Sequence, residues 1–211
     1  MNRIFAIGDI HGCYDQLQAL MDKVPIDFEH DRLVFLGDYI DRGPDSFKVV
    51  EYLINLKKEY SNTVFLKGNH EEMLELYLKG MEIMNFVRNG GHNTLESYSL
   101  HSGENDADLI PHSHLDFFQS LLLFYETENY IFVHAGLQKG VPLEKQKTDD
   151  LLWIRNGFIR TRYKFGKRVI FGHTYFKEPL IQPNKIGIDT GAVYGNKLTC
   201  IELPDMKFYQ V

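Results

Sequence analysis

The chain of 211 residues is short of several things, and each shortage excludes a class of protein. It has only two cysteines, Cys13 and Cys200, far apart and in no CxxC arrangement. Two reduced thiols of a cytoplasmic protein are therefore expected rather than a disulfide framework. No apolar run approaches the ~18 residues that would span a bilayer, and the stretch Ile4-Phe5-Ala6-Ile7 is too short for the core of a signal peptide. Neither a low-complexity tract nor a linker-like run divides the chain. Positive charge is also in deficit, 23 Lys and Arg against 29 Asp and Glu, for a net −6. No general field draws nucleic acid or an anionic membrane to such a surface, so any phosphate chemistry has to come from cations placed locally. What remains, 44% apolar and 13% aromatic residues, suits a globular fold with one sizeable core.

Short apolar runs punctuated by glycine organise that core. Ile4-Phe5-Ala6-Ile7 stops at Gly8-Asp9, Leu33-Val34-Phe35-Leu36 at Gly37-Asp38, and Val64-Phe65-Leu66 just before Gly68-Asn69. Runs of this kind, rich in β-branched and aromatic residues and bounded by turn signals, read as buried strands. Between them Leu17, Leu20, Met21 and Val24 keep helical spacing, as do Phe47, Val50 and Ile54 after a start at Pro44-Asp45-Ser46. Strands alternating with helices imply βαβ units and a mainly parallel sheet, in which ligands bind outside the carboxyl ends of the strands. Two later runs end at His134-Ala135-Gly136 and Gly172-His173-Thr174. Five strand ends thus deliver Asp, Asp, Asn, His and His, which together define a site. Residues 71–125 read differently, as a helical stretch from Glu71 to Lys79, then Gly80, Gly90-Gly91 and a polar segment around Ser102 to Asp108. The tail from Leu180, broken by Gly and Pro, reads as antiparallel strands.

The dense blocks are Gly8-Asp9-Ile10-His11-Gly12, Gly37-Asp38-Tyr39-Ile40-Asp41-Arg42-Gly43 and Gly68-Asn69-His70-Glu71. Asp9 and His11 are one residue apart and can face one cation, and Asp38 can bridge two with its two oxygens. Asn69, His134 and His173 can complete a second coordination shell. Mixed nitrogen and oxygen donors without thiolate suit Mn²⁺, with Fe or Zn²⁺ as the other choices. Two divalent ions outweigh two carboxylates, and the surplus charge favours a phosphoryl group and an activated water. Arg42 offers a bidentate clamp on phosphate. His70 is placed to protonate a leaving oxygen, with Asp41 to hold its ring as imidazolium. The pair His112 and His114 has ligand-like spacing but no further ligand nearby, and reads as surface histidine.

These blocks, GDIHG, GDYIDRG and GNHE in order with His and Gly-His-Thr downstream, resemble the PPP-type phosphoprotein phosphatases of the calcineurin-like metallophosphoesterase superfamily, in their short phage and bacterial branch. The resemblance implies an α/β fold, a central β-sandwich of mixed sheets flanked by helices in α/β/β/α layers. It implies one domain over 1–211 with a mostly helical insertion at about 80–125. It places Asp9, His11 and Asp38 at one metal and Asp38, Asn69, His134 and His173 at the other, with His70 as general acid, Asp41 as its partner and Arg42 on the phosphate. A second phosphate arginine is usual in the family, and Leu151-Leu152-Trp153-Ile154-Arg155 points to Arg155, with Arg160 and Arg162 as rivals. Asp189-Thr190-Gly191 departs from the eukaryotic pattern.

The expected function is metal-dependent hydrolysis of phosphomonoesters on serine/threonine phosphoproteins or peptides, by direct attack of water and without a phosphoenzyme. The alternative is hydrolysis of dinucleoside polyphosphates such as diadenosine tetraphosphate on the same core. Asp41 leans toward the protein phosphatases, because symmetrical dinucleotide hydrolases usually lack it, although their asymmetrical relatives keep it more often. A non-catalytic scaffold is the remote alternative, since no expected ligand or acid is missing.

Overall fold

A computed structural model describes residues 3–101 and 109–211, so the polar segment from Ser102 to Asp108 lies outside the described residues. The first third alternates as its punctuation predicts: β1 (Ile4–Ile7), α1 (Tyr14–Lys23), β2 (Arg32–Phe35), α2 (Ser46–Glu59), β3 (Thr63–Phe65) and α3 (Asn69–Leu78). Strands β1, β2 and β3 are parallel, with Ile7 opposite Phe35 and Phe35 opposite Phe65. Next come α4 (Ile83–Phe86), a π-turn over Val87–Gly91, α5 (His92–Ser99) and α6 (His112–Gln119).

The second half brings β4 (Phe124–Glu126), β5 (Tyr130–Val133), α7 (Thr148–Trp153), α8 (Asn156–Ile159), β6 (Arg168–Phe171), β7 (Leu180–Gln182), β8 (Lys185–Gly187), β9 (Thr199–Leu203) and β10 (Lys207–Gln210). Two five-stranded mixed sheets result, in the orders β10-β9-β1-β2-β3 and β4-β5-β6-β8-β7. The hairpin β9–β10 is antiparallel, as read from the tail, and pairs antiparallel with β1. Strand β8 departs from that reading: it runs parallel to β6 and puts its carboxyl end on the same edge as β5 and β6.

Side-chain alternation along the strands builds the layers. Ala6, Val34, Leu36 and Leu66 from one sheet meet Phe132, Ile170, Ile186 and Ile188 from the other, a dry core between the sheets. The alternate residues Phe5, Ile7, Leu33 and Phe35 point outward under Leu17, Leu20, Val49 and Leu53 of α1 and α2. Val133, Val169 and Phe171 do the same under Leu151 and Phe158. This is the expected α/β/β/α arrangement, with each sheet buried on both faces.

Candidate active site

Six parallel strands end on one edge of the sandwich, and each is followed within three or four residues by a site residue. Asp9, Asp38 and Asn69 follow β1, β2 and β3; His134, His173 and Asp189 follow β5, β6 and β8. All six are buried. The turns that aim them are strained. Of the seven non-glycine residues with left-handed backbone among those described, five are His11, Asp38, Asp41, Arg42 and His173. Such conformations cost of order 1–3 kcal/mol each and persist where surrounding contacts hold them. Glycines give the carboxylates room. A Cβ on Gly172 would strike Asp9 Oδ1, and one on Gly68 would strike Asp38 Oδ1.

The ring nitrogens are sorted by what their other side is bonded to. His11 Nδ1–H donates to Ile40 O at 2.8 Å and His134 Nδ1–H to Leu36 O at 2.8 Å, which leaves both Nε2 lone pairs facing the site. Burial first, and neighbouring imidazoles second, keep His11, His134 and His173 below the ordinary histidine range, hence neutral. His134 Nε2 nevertheless lies 3.4 Å from Asp38 Oδ1, and His11 Nε2 lies 3.4 Å from Asp38 Oδ2. Lone pairs thus converge on a carboxylate, a geometry that a cation between them relieves. Asn69 Oδ1 sits 3.0 Å from His134 Nε2 and 2.8 Å from His173 Nδ1, and His173 Nε2 is buried without a hydrogen-bond partner.

Two groups of donors lie within 4.8 Å of one another, His11 with Asp38 and His70, and Asp38 with His134 and His173. Asp38 belongs to both groups, Asp9 to neither, and His70 stands in the first. Burial would push its carboxyl up, but the four imidazoles around it hold it low and ionised. Asp9 is raised well above the ordinary range by burial and by the carboxylates of Asp189 and Asp38. It accepts the His173 N–H at 2.9 Å on Oδ2. Buried carboxylates that repel one another, beside neutral imidazoles, form a donor set suited to divalent cations.

His70 Nδ1–H donates to Asp41 Oδ2 at 2.6 Å, and its Nε2 is buried with no partner, pointing into the site. Burial pushes the imidazole down, yet Asp38 and Asp41 outweigh it and raise His70 above the ordinary value. Asp41 is itself anchored: Thr94 Oγ1–H donates to its Oδ1 at 2.6 Å, and its N–H donates to Thr94 Oγ1 at 2.9 Å. Arg42 Nη1 donates to His11 Nε2 at 2.6 Å, occupying the lone pair that faces the site. The backbone of Arg42 is held by Gly90 O at 3.2 Å and by the side chain of Asn93. Residues 90–94 thus brace Asp41 and Arg42 from below. Arg155 is exposed at the rim and donates to His173 O at 3.4 Å. Arg160 and Arg162 lie elsewhere, in a groove at the other edge of the second sheet.

Several residues of the site escaped the sequence reading. Asp189, pushed up to about 6 mainly by burial, ends a strand just as Asp9 and Asp38 do, and the run Ile186-Gly187-Ile188 before it was the available signal. Glu71 is fully buried and accepts the N–H groups of Asp38, Tyr39 and Gly68 at 3.0, 2.8 and 2.8 Å. Tyr175 and Tyr194 form an exposed edge-to-face pair, centroids 5.8 Å apart, with Arg42 5.8 Å from the Tyr194 ring. His114 corrects the surface reading. It is buried, takes part in a 2.7 Å hydrogen bond with Tyr98 Oη, and lies 2.9 Å from Glu51 Oε2.

A two-sheet sandwich with buried Asp, Asn and His donors at the carboxyl ends of its parallel strands defines a metal-dependent phosphoesterase. The chain belongs to the calcineurin-like phosphoesterase family, whose model matches residues 2–192. It is 31% identical, over 99% of its length and 92% of the relative's, to the asymmetrical bis(5'-nucleosyl)-tetraphosphatase PrpE of Oceanobacillus iheyensis. The PrpE of Halalkalibacterium halodurans is 27% identical over 97% of this chain and 92% of its own. Among solved structures, a protein provisionally assigned as a diadenosine tetraphosphatase superposes with a TM-score of 0.75 at 26% identity, covering 100% of this chain and 93% of that one.

Proposed function

We propose that this phosphoesterase hydrolyses dinucleoside polyphosphates asymmetrically, releasing a nucleoside monophosphate from one end. The observation that carries the reading is end-to-end similarity to asymmetrical tetraphosphatases at 31% identity, which favours the dinucleotide alternative over the phosphoprotein expectation. The exposed Tyr175–Tyr194 pair supports it. Asymmetrical cleavage breaks the link between the first and second phosphates, so a nucleoside lies no further than one phosphate from the reacting phosphorus. Aromatic faces beside Arg42 offer that base a stacking surface worth about 1–3 kcal/mol.

In this reading Asp9, His11, Asp38, Asn69, His134 and His173 hold two divalent ions, with Mn²⁺ the first choice. When bound, such ions supply Lewis acidity and neutralise charge on the phosphate oxygens. Arg42 turns its guanidinium from His11 to the phosphate and orients it, and Arg155 approaches from the rim. His70 holds a proton on Nε2 and delivers it to the leaving phosphate oxygen, while Asp41 and Thr94 keep the ring turned toward that oxygen. No side chain is needed as a covalent nucleophile.

The test compares turnover of diadenosine tetraphosphate with that of a phosphoserine peptide in Mn²⁺, with Asp38→Ala as blank. A higher kcat/KM for the dinucleotide and unequal products, ATP and AMP, are expected. Preference for the peptide would return the chain to the phosphoprotein phosphatases, and two ADP per turnover would make the cleavage symmetrical.

A further inference from the structure

The chain carries −6 overall, yet from Leu151 to Lys177 it has Arg155, Arg160, Arg162, Lys164, Lys167, Arg168 and Lys177 and no acidic residue. The fold gathers five of these cations around one cavity. Arg160, Arg162, Lys164, Lys167 and Arg168 line a groove of about 970 Å³ together with Phe165 and the β7–β8 turn, and among the described residues no carboxylate lines it. The groove lies at the amino ends of β6 and β8, where Arg168 and Lys185 begin their strands. The catalytic residues follow the carboxyl ends of the same strands, so about 13 Å of strand separates the two sites.

Structural pairing does not account for this charge. The side chains of Arg160, Arg162 and Lys164 are exposed and make no hydrogen bond or ion pair among the described residues. Arg168 Nε is buried without a hydrogen-bond partner, although its Nη2 donates to Gln182 O. Lys167 alone has an acidic partner, Glu126 at 3.0 Å. The walls are nonetheless fixed. Lys185 Nζ donates to the carbonyls of Phe158 and Thr161, and Asn184 Nδ2 donates to Tyr163 O at 2.7 Å, which pins the loop that carries the arginines. The backbone of the groove is thus preformed, and binding has only the cationic side chains left to order.

We propose that this groove is a second anion site, separate from the catalytic centre, that binds a chain of linked phosphates, as inorganic polyphosphate or as the tail of a nucleoside triphosphate. Several cations lining one groove suit consecutive phosphates better than a single carboxylate. The volume suits a small molecule rather than a duplex. Phe165, tilted against Phe158 and edge-to-face with Tyr163, lines the groove and offers an apolar flank for a base. The proposal does not depend on which phosphate ester the catalytic centre cleaves.

The experiment is calorimetric titration with bis-methylene triphosphate, and with the bis-methylene (α,β and β,γ) analogue of ATP, in which carbon replaces every oxygen between phosphates so that neither probe can be cleaved there. Wild type, Arg42→Ala and the triple variant Arg160→Ser/Arg162→Ser/Lys164→Ser are compared. Wild type and Arg42→Ala are expected to bind with similar affinity, weakening as salt rises. The triple variant is expected to bind at least tenfold more weakly while hydrolysing p-nitrophenyl phosphate at the wild-type rate. Equal affinity of the two probes would point to free polyphosphate, and tighter binding of the nucleotide analogue would bring in the base. Undiminished binding by the triple variant, or loss of binding in Arg42→Ala alone, would overturn the second site.

Discussion

At the scale of single residues, His70 and Lys185 are both buried and polar, and they behave oppositely. His70 is lowered by burial but shifted further toward its charged form by Asp38 and Asp41, with its Nε2 in the site. Its value as a general acid depends on the leaving group. An alkoxide from serine needs a proton far more than the oxygen of a polyphosphate does, and general acids contribute roughly 10²–10⁴-fold. His70→Asn is therefore expected to slow a phosphoserine peptide toward the upper end of that range and diadenosine tetraphosphate toward the lower end or less. Equal loss on both substrates, measured as kcat, would remove His70 from the leaving-group side.

Lys185 is buried with its ammonium on backbone carbonyls, and desolvation lowers it from 10.5 to about 8. Between those two pH values the unfolded chain holds a proton that the folded chain has shed. Stability from this group therefore rises as pH climbs through the window, and its penalty is fully present below it. Lys185→Met removes the titration. The wild type should gain in Tm relative to the variant from pH 8 to pH 10, and a gap that ignores pH would leave Lys185 with an ordinary lysine pKa.

At the scale of elements, the loops after β2 and β3 share one staple. Glu71, in the first turn of α3, reaches back to the N–H of Gly68 and across to those of Asp38 and Tyr39. An amide offers a single acceptor oxygen and turns a donor toward another donor. Glu71→Gln is expected to cost roughly 1–3 kcal/mol, which at this size lowers Tm by about 2–4 °C per kcal/mol. Metal affinity should fall with it, because Asp38 and Asn69 sit on the stapled loops. Wild-type Tm and metal content in the variant would reduce Glu71 to a bystander.

The same elements show what the sequence made legible. Apolar runs ending in Gly-Asp or Gly-Asn carry their own signal, because β-branched strands and glycine turns are local properties. Asp9, Asp38 and Asn69 were readable for that reason, and His134 and His173 because apolar runs likewise deliver them beside Gly136 and Gly172. For Asp189 the run Ile186-Gly187-Ile188 marks a strand, but nothing local distinguishes a parallel β8 from an antiparallel one; only its partner β6 decides. Thr94, Glu71 and the burial of His114 depend on contacts 16 to 63 residues away, and pattern along the chain holds no trace of these.

At the scale of the whole molecule, the site is a seam. Asp9, Asp38 and Asn69 leave one sheet, and His134, His173 and Asp189 leave the other, above an apolar core that joins the two. Without cations the seam holds carboxylates that repel one another: burial raises Asp9 and Asp189, and the charge of Asp38 adds to both shifts. Ions seated there would tie the sheets together and cancel the repulsion, and would bind the folded chain alone. Ligand at about a hundred times its Kd stabilises by ~2.7 kcal/mol, equivalent to roughly 5–11 °C in Tm for a chain of this size. Chelation with EDTA should therefore lower Tm by an amount of that order, reversed by Mn²⁺. Asp38→Ala, which removes the carboxylate common to both donor groups, should lose most of the response. A chelation shift equal in both proteins would place the ions outside the seam, and no shift in either would mean that the apolar core alone holds the two sheets in register.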